Sequence, residues 1–324
     1  MPKVSIIIPL HNAGEHLHDC LQSIQNQSFK DFEVIVVDDC STDGSGRVVD
    51  ELALADNRFK VWRNAQNLHI GMSRNRAIEL AQGTYITFSD HDDIQEPNWL
   101  QEMVEAAEKN KADILINIPH TTLEHDETNV SHFPSEAFVH TKEYILTDLL
   151  SKGARHGRNN SLFNLVIGNF YKREFIVNHQ LQFVDTKEIT PEDQLFQLEA
   201  VVCTNNIALI DKVLYHHINH DQNEGSSRSY LNISKRLNGL ERAKSVLVKH
   251  HLYDSYAPFF LEGGGLQVVL LMANTLVSTP FNTTRTRRAI KNHPLTKEML
   301  PFVPASTKGF LAKQFRKFIV ALLK

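Results

Sequence analysis

Two apolar runs, VSIIIPLHN over residues 4–12 and FEVIVVDDCSTD over residues 32–43, decide the fold of this 324-residue chain. Their consecutive hydrophobic residues are typical of strands that are buried on both faces of a sheet. Between the two runs, four apolar residues recur at the spacing of one helix face: Leu17, Cys20, Leu21 and Ile24. A strand, a helix and a second strand in this order predict a parallel pair joined by a crossover helix.

The same alternation continues downstream. Strands are predicted at 59–62, 85–88 and 114–116, with helices around Val49, over 74–81 and around Met103. Further elements are predicted as strands at 169–172 and near Ile207 and Leu214, and as a helix over 191–202. Residues 119–165 are rich in His, Asn, Ser and Thr, which predicts a loop-rich excursion over one sheet edge.

The fold class is therefore predicted as α/β, with a doubly wound, mostly parallel, Rossmann-like sheet and a C-terminal helical extension. The predicted domains are 1–225, with halves 1–118 and 119–225, and a helical region over 226–324.

Composition excludes several classes of protein. Hydrophobic residues make up 42% and charged residues 22%, so a sizeable core can form. The net charge of −4 argues against general nucleic-acid binding, which requires a basic surface. Three separated cysteines indicate a reducing, cytoplasmic setting, and no signal peptide is recognised before the first strand.

Charge is distributed unevenly along the chain. The basic tail, residues 281–324, contains ten Lys or Arg and one Glu, so it carries +9 and the rest carries −13. Within it, residues 308–324 have the pattern of a basic amphipathic helix, which favours peripheral contact with an anionic membrane surface. A terminal helix that packs on the body by its apolar face remains an alternative.

Acidic residues follow two of the predicted strands. Asp38 and Asp39 end the second strand, and Asp90, Asp92 and Asp93 follow the strand at 85–88. The carboxyl ends of parallel strands meet at one edge, so the two clusters should converge on one crevice. Close carboxylates repel one another unless a cation lies between them, and such hard oxygen ligands suit Mg²⁺ or Mn²⁺. Helix capping is the competing explanation, and we favour it for Asp43.

A diphosphate in so acidic a crevice needs a cationic partner. Arg74, at the start of the helix before the second cluster, is the candidate, since a guanidinium can bind a pyrophosphate with two hydrogen bonds. A solvated Arg on a helix surface is the alternative.

Four segments together resemble the family 2 glycosyltransferases, which have the GT-A fold. The segments read VSIIIPLHN, VIVVDDCSTD, SRNRAIELAQGTYITFSDHDD and TPEDQLF, and the resemblance as a whole runs from residue 4 to about residue 227. The resemblance departs at Cys40, where the family usually has Gly, at His11, where an aromatic residue is common, and at His91, where Ser is frequent.

The resemblance implies a role for each matching residue. Pro9, His11 and Asn12 would line the nucleotide pocket, where Asp39 would bind the base, usually uracil. Asp90-His91-Asp92 would be the DxD motif, with Asp90 near the ribose and Asp92 on the metal. Glu192-Asp193 would be the ED motif, with Asp193 as catalytic base; first-turn acids that complement a helix dipole are the alternative. His220 is the candidate for completing the metal site.

These features predict a metal-dependent inverting glycosyltransferase. It would move a sugar from a nucleotide sugar, expected to be UDP-linked, to a glycan or lipid-linked acceptor in lipopolysaccharide, lipooligosaccharide or capsule synthesis. It would act in the cytoplasm or peripherally on the inner face of the membrane.

Two other functions compete with this one. A receiver-like, Mg²⁺-binding phosphoacceptor module would explain Asp38, Asp39 and Asp90 but no later motif. A sugar nucleotidyltransferase would need a Gly-rich, Arg-containing loop after the first strand, and residues 9–13 do not form one.

Overall fold

The structure, a computed structural model, describes residues 1–118, 120–123, 128–129, 132–139, 141–151, 161, 163–219, 230–263 and 293–299. The strands of this part are β1 (Val4–Leu10), β2 (Phe32–Asp38), β3 (Phe59–Arg63), β4 (Tyr85–Phe88), β5 (Ile94–Gln95), β6 (Ile114–Asn117), β7 (His120–Leu123), β8 (Thr128–Asn129), β9 (Phe170–Lys172), β10 (Ile207–Ile210) and β11 (Tyr215–Asn219).

Helices alternate with these strands over the first half of the chain. In chain order they are α1 (Leu17–Gln25), α2 (Ser45–Ala55), α3 (His69–Leu80), α4 (Trp99–Asn110), α5 (Ser135–Val139), α6 (Thr141–Ser151), α7 (Arg173–Asn178), α8 (Glu192–Cys203), α9 (Tyr230–Lys249), α10 (253–263) and α11 (Pro294–Met299). A 3₁₀ turn at Gly14–His16 precedes α1.

Seven strands form the main sheet, in the order β10-β6-β9-β4-β1-β2-β3. The pairs β1–β2, β1–β4, β2–β3 and β6–β10 are parallel, whereas β9 is antiparallel to both β4 and β6. From β1 the chain builds outward to β3 and then crosses to β4 on the other side of β1. This reversal leaves a crevice at the carboxyl ends of β1 and β4, which is where such sheets bind ligands.

The core of the sheet explains why these segments are strands. Every residue of β1 and β2 is buried, as expected for strands covered on both faces. Even Glu33 is only 3% exposed, and its carboxylate accepts hydrogen bonds from Ser5 Oγ (2.7 Å), the Gln82 amide (2.8 Å) and Lys60 Nζ (2.6 Å). The apolar runs of the sequence therefore predicted β1 and β2 correctly.

A second, smaller sheet has the order β5-β11-β7-β8. Its strand β11 runs antiparallel to β5 and parallel to β7. The strand expected near Leu214 is β11. It lies beside the loop that follows β4, where the Tyr215 hydroxyl donates a hydrogen bond to Asp93 (2.7 Å).

One expectation for the middle of the chain was wrong. Residues 119–165 were predicted to be loop-rich, but α5 and α6 occupy most of 135–151. Buried Tyr144, Ile145 and Leu149 give α6 a helical pattern that the polar residues of its surroundings obscure. Residues 152–160 of this predicted excursion lie outside the described residues.

The chain divides into two compact units that do not follow chain order. The first unit holds residues 1–144, 165–185 and 199–223, and both sheets belong to it. The second unit holds residues 145–164, 186–198 and 224–324. The predicted domain boundary at residue 225 stays a prediction.

Most described residues of the C-terminal region are helical and belong to α9, α10 and α11. Over the described ranges, no helix combines the length and the apolar character that crossing a membrane requires. The predicted amphipathic helix at 308–324 lies outside those ranges.

Candidate active site

Hydrogen bonds join the loops that follow β1, β2 and β4. His11 Nδ1 donates to the carbonyl oxygen of Asp39 (2.8 Å), and the Asp39 amide donates to the carbonyl oxygen of Leu10 (2.7 Å). His91 Nδ1 lies 3.3 Å from the carbonyl oxygen of Pro9. The acidic loops after β2 and β4 therefore open at one edge of the sheet, as the strand-end argument predicted.

His11 bridges two of these loops. Because its Nδ1 donates to a carbonyl, its Nε2 is free to accept, and Asn67 Nδ2 lies 3.2 Å from it. Asn12 continues the same loop, and its Oδ1 accepts a hydrogen bond from the Thr42 amide (2.8 Å). His11 and Asn12 thus fix the loop around Pro9 against the β2 loop.

Asp39 is held by α3. Its Oδ1 accepts hydrogen bonds from the Leu68 amide (2.8 Å) and Asn64 Nδ2 (2.7 Å), and its Oδ2 accepts one from the His69 amide (2.7 Å). The carboxylate is thereby anchored at the N-terminus of α3, where backbone N–H groups and the helix dipole favour an anion. Each carboxylate oxygen has two lone pairs, so Oδ2 keeps the capacity for one more donor.

Asp38 has a different task, although it precedes Asp39. Its carboxylate accepts from Arg63 Nε (3.2 Å) and from the Ser41 amide (2.9 Å), and it is 2% exposed. Asp38 therefore shapes the loop. Asp43 accepts a hydrogen bond from the Ser45 amide (2.9 Å) at the start of α2. The N-cap position itself is Gly44, so Asp43 lies one residue before the cap that was predicted for it.

Arg74 is buried and pairs with Asp90. The side chain is 1% exposed, its Nη2 donates to Asp90 Oδ1 (2.9 Å), and its guanidinium lies 5.2 Å from the centre of the Phe183 ring. A solvated Arg on a helix surface is thus wrong. The pairing gives Arg74 a role in orienting Asp90, and its predicted contact with a pyrophosphate stays a prediction.

The three acids after β4 have unequal surroundings. Asp93 is fully buried, and its carboxylate accepts from the Tyr215 hydroxyl (2.7 Å), His217 Nδ1 (3.1 Å) and the Ile218 amide (3.0 Å). Burial raises the pKa of Asp93, and the hydrogen bond from His217 opposes that shift. Asp93 is therefore an internal anchor, while Asp92 is partly exposed and Asp90 keeps 25% of its side chain exposed.

Strand β11 supplies residues that the sequence did not single out. The Tyr215 hydroxyl contacts Asp93 and also accepts a hydrogen bond from the Asp90 amide (3.2 Å). Burial would lower the pKa of His217, but its hydrogen bond with Asp93 and the nearby carboxylate charges raise it to about 9. His216 points the other way, with Nε2 2.7 Å from Glu96 Oε1. Since alternate residues of a strand face opposite sides, this alternation could have identified Tyr215 and His217.

The carboxylates fit a divalent metal that is shared with a substrate. Within the residues that the structure describes, no three His, Cys, Asp or Glu side chains are grouped as a metal site, and His220 lies outside them. Asp90 and Asp92 are partly exposed and carry the hard carboxylate oxygens that such an ion prefers. Mg²⁺ and Mn²⁺ are commonly held by one or two carboxylates together with substrate phosphates, and this donor set matches that pattern.

The other predicted motif lies in the second unit. Glu192 and Asp193 occupy the first turn of α8, directly after Thr190 and Pro191. Both acids are partly exposed. An acidic first turn complements the helix dipole, so this position alone does not distinguish a base from a structural acid.

Together, the doubly wound sheet and the acidic loops at its switch point define an α/β protein with its polar side chains gathered where such sheets bind ligands. The family described as Glycosyl transferase family 2 matches residues 5–175, more than half of the chain, so the chain belongs to this family.

Relatives and solved structures agree with this assignment. Over 220 residues, 68% of this chain, it is 30% identical to the glycosyltransferase EpsH of Bacillus subtilis, of which the match covers 61%. It is 25% identical over 243 residues to the poly(ribitol-phosphate) beta-N-acetylglucosaminyltransferase TarS of Staphylococcus aureus, covering 71% of this chain and 38% of TarS.

The fold is the GT-A fold. The crystal structure of S. aureus TarS 1–349 in complex with UDP-GlcNAc superposes with a TM-score of 0.74 and 19% identity, covering 99% of this chain and 89% of that chain. A mannosyltransferase from Pyrobaculum calidifontis, solved with GDP-Man and Mn²⁺, gives 0.54 at 14% identity, covering 99% of this chain and 85% of that chain.

Proposed function

We propose that this protein is an inverting glycosyltransferase that moves a sugar from a UDP-linked donor to a glycan or lipid-linked acceptor of the cell envelope. The observation that carries the proposal is the Asp39 carboxylate, held by the Leu68 and His69 amides at the strand edge that also bears Asp90. Its remaining acceptor capacity suits the ring N–H of uracil. Relatives named as glycosyltransferases, and the TarS complexes with UDP-GlcNAc and UDP, support the same donor class.

The donor side of the reaction depends on charge. Asp90, oriented by Arg74, would contact the ribose, and Asp90 and Asp92 would hold Mg²⁺ or Mn²⁺. When bound, such an ion supplies positive charge that stabilises the leaving nucleoside diphosphate. Pro9, His11 and Asn12 would line the nucleotide pocket, as their hydrogen-bonded loops favour.

Asp193 would act as the base, with Glu192 beside it. Inversion needs one carboxylate that takes the proton of the acceptor hydroxyl while its oxygen attacks the anomeric carbon. Leaving-group departure needs no protonation, so a single base is sufficient. His220 stays a candidate for completing the metal site.

The acceptor and the cellular location are proposed from a relative's name and from the charge of the chain. TarS is named for transfer of N-acetylglucosamine to poly(ribitol-phosphate), which supports a polymer as the acceptor. We propose an envelope glycan such as lipopolysaccharide, lipooligosaccharide or capsule in that role. The charge of the basic tail supports peripheral contact with the inner face of the membrane.

A screen of nucleotide sugars by thermal shift, with and without Mn²⁺, tests the donor class. We expect one UDP-sugar to raise the melting temperature more than GDP-Man does, and more with Mn²⁺ than without. Equal shifts for all nucleotides, or none, would refute a UDP-sugar site.

Asp193→Asn tests the base. Loss of the proton acceptor should reduce UDP release from the stabilising donor by about 10²-fold or more, while donor affinity stays near that of the wild type. Glu199→Gln, on the same helix, is the matched control and should retain activity. Wild-type turnover by the Asp193 variant would contradict the assignment.

A further inference from the structure

Helix α9 makes three hydrogen bonds to the segment that leads into α8. Lys235 Nζ donates to the carbonyl oxygen of Thr186 (2.8 Å), and Asn238 Nδ2 donates to that of Glu188 (3.0 Å). The Thr190 amide in turn donates to the carbonyl oxygen of Lys235 (3.1 Å). The segment 186–190 is therefore bonded to α9 at both of its ends and in its middle.

Gly239 permits a backbone approach that no other residue would allow. A Cβ atom built there would lie 2.1 Å from the carbonyl oxygen of Thr190 and 3.0 Å from its carbon. A glycine inside a helix costs about 1 kcal/mol relative to alanine, so its place in the middle of α9 calls for a packing reason. Contact with Thr190 supplies that reason.

The first turns of α8 also pack on α9. Leu195 and Leu198 of α8, with Leu240 and Ala243 of α9, line a mostly apolar space of about 30 Å³, room for no more than a few water molecules. Since α8 is a continuous helix from Glu192, a shift of Thr190 or of this packing would move Asp193.

We propose that Lys235, Asn238 and Gly239 are positioning residues for Asp193: α9 sets the place of the catalytic carboxylate by holding the segment before it. The inference rests on the proposed function, because it assumes that Asp193 is the base. Displacement of a reacting group by about 1 Å can cost about 10²-fold in rate, so bonds far from the acceptor hydroxyl can control turnover.

The test uses full-length variants and two measurements. Lys235→Met and Gly239→Ala should accelerate hydrogen exchange of the amides in 186–196. Both should lower kcat for UDP release from the best donor of the thermal-shift screen by about tenfold or more, with its KM changed by less than about twofold. Lys235→Arg, which keeps a donor, should restore most of the rate.

Gly83→Ala is the control. Its Cβ would lie 2.5 Å from the amide nitrogen of Ser5 in β1, a backbone overlap that touches neither α8 nor α9. It should lower the melting temperature and leave kcat, measured per folded enzyme, near that of the wild type.

Each result decides one hypothesis. Unchanged exchange in Lys235→Met, or faster exchange with unchanged kcat, overturns the positioning role. Equal loss of kcat in Gly83→Ala also overturns it, because general destabilisation would then suffice. If Asp193→Asn retains wild-type turnover, the proposed base fails, and with it the inference; if Asp193→Asn is inactive while the α9 variants are normal, only the inference fails.

Discussion

Tyr215→Phe removes one hydroxyl on which the acidic loop depends. That hydroxyl donates to the fully buried carboxylate of Asp93 at 2.7 Å and accepts from the Asp90 amide at 3.2 Å. A hydrogen bond to a charged group contributes about 1.5–3 kcal/mol, and the orphaned amide adds to the loss. We therefore expect the free energy of unfolding to fall by about 2–4 kcal/mol.

Urea denaturation followed by tryptophan fluorescence measures this loss. Trp99 is a suitable reporter because it is fully buried and its ring lies 5.7 Å from that of Tyr215. The freed loop should also weaken binding of the nucleotide sugar, since Asp90 and Asp92 lie on it.

Tyr85→Phe is the control for this variant. It removes the same hydroxyl from a mostly buried tyrosine, at the other end of β4 from the acidic loop. We expect a change of less than about 0.5 kcal/mol, the usual range for substitutions away from buried polar networks. Equal stabilities and equal nucleotide affinities of the two variants would refute the role assigned to Tyr215.

Three other outcomes are expected. Glu33 is hydrogen-bonded by Lys60, Ser5 and Gln82; burial alone would raise its pKa, but these bonds hold the pKa below the usual value of a glutamate. Its stabilising effect is therefore present above the pKa of the unfolded chain and lost as pH falls through the lower pKa of the folded state. Glu33→Gln should cost about 1–3 kcal/mol in urea unfolding at pH 7, and the difference from wild type should shrink in acid; a constant difference would contradict this. Gly83→Ala should cost about 3 kcal/mol in the same assay, since its Cβ would lie 2.5 Å from the Ser5 amide nitrogen, and a loss below about 1 kcal/mol would show that the backbone yields. Titration calorimetry should show Mn²⁺ binding about tenfold more tightly with UDP than without, and Asp92→Ala should remove that difference; equal affinities would argue for a metal site independent of nucleotide.

Much of the main sheet could be predicted because its strands are uniformly apolar and its helices are regularly spaced. The position of the crevice followed from strand ends alone. The helices α5 and α6 were missed because polar residues dominate their surroundings, and β9 was expected as a strand without its antiparallel direction.

Within the candidate site, the sequence identified the acids but not their different environments. Nothing in the local sequence indicates that Asp93 turns inward, because its partner Tyr215 lies 122 residues away. Likewise, Arg74 is covered by Phe183, which lies more than a hundred residues later, in the segment before Glu192-Asp193. Long-range pairing therefore decided which carboxylates of the site are buried and which are partly exposed.

The antiparallel strand β9 has a consequence for synthesis of the chain on the ribosome. Among the strands that the structure describes, only β9 joins β4 to β6 in the main sheet, so the strands made first form a separate block of β1 to β4. The described neighbours of β6 are β9 and β10, which both follow it in the chain, so β6 begins to pair only after residue 172 has emerged. We expect a nascent chain stalled before this point to fold only its nucleotide-binding strands and to leave β6 exposed to chaperones.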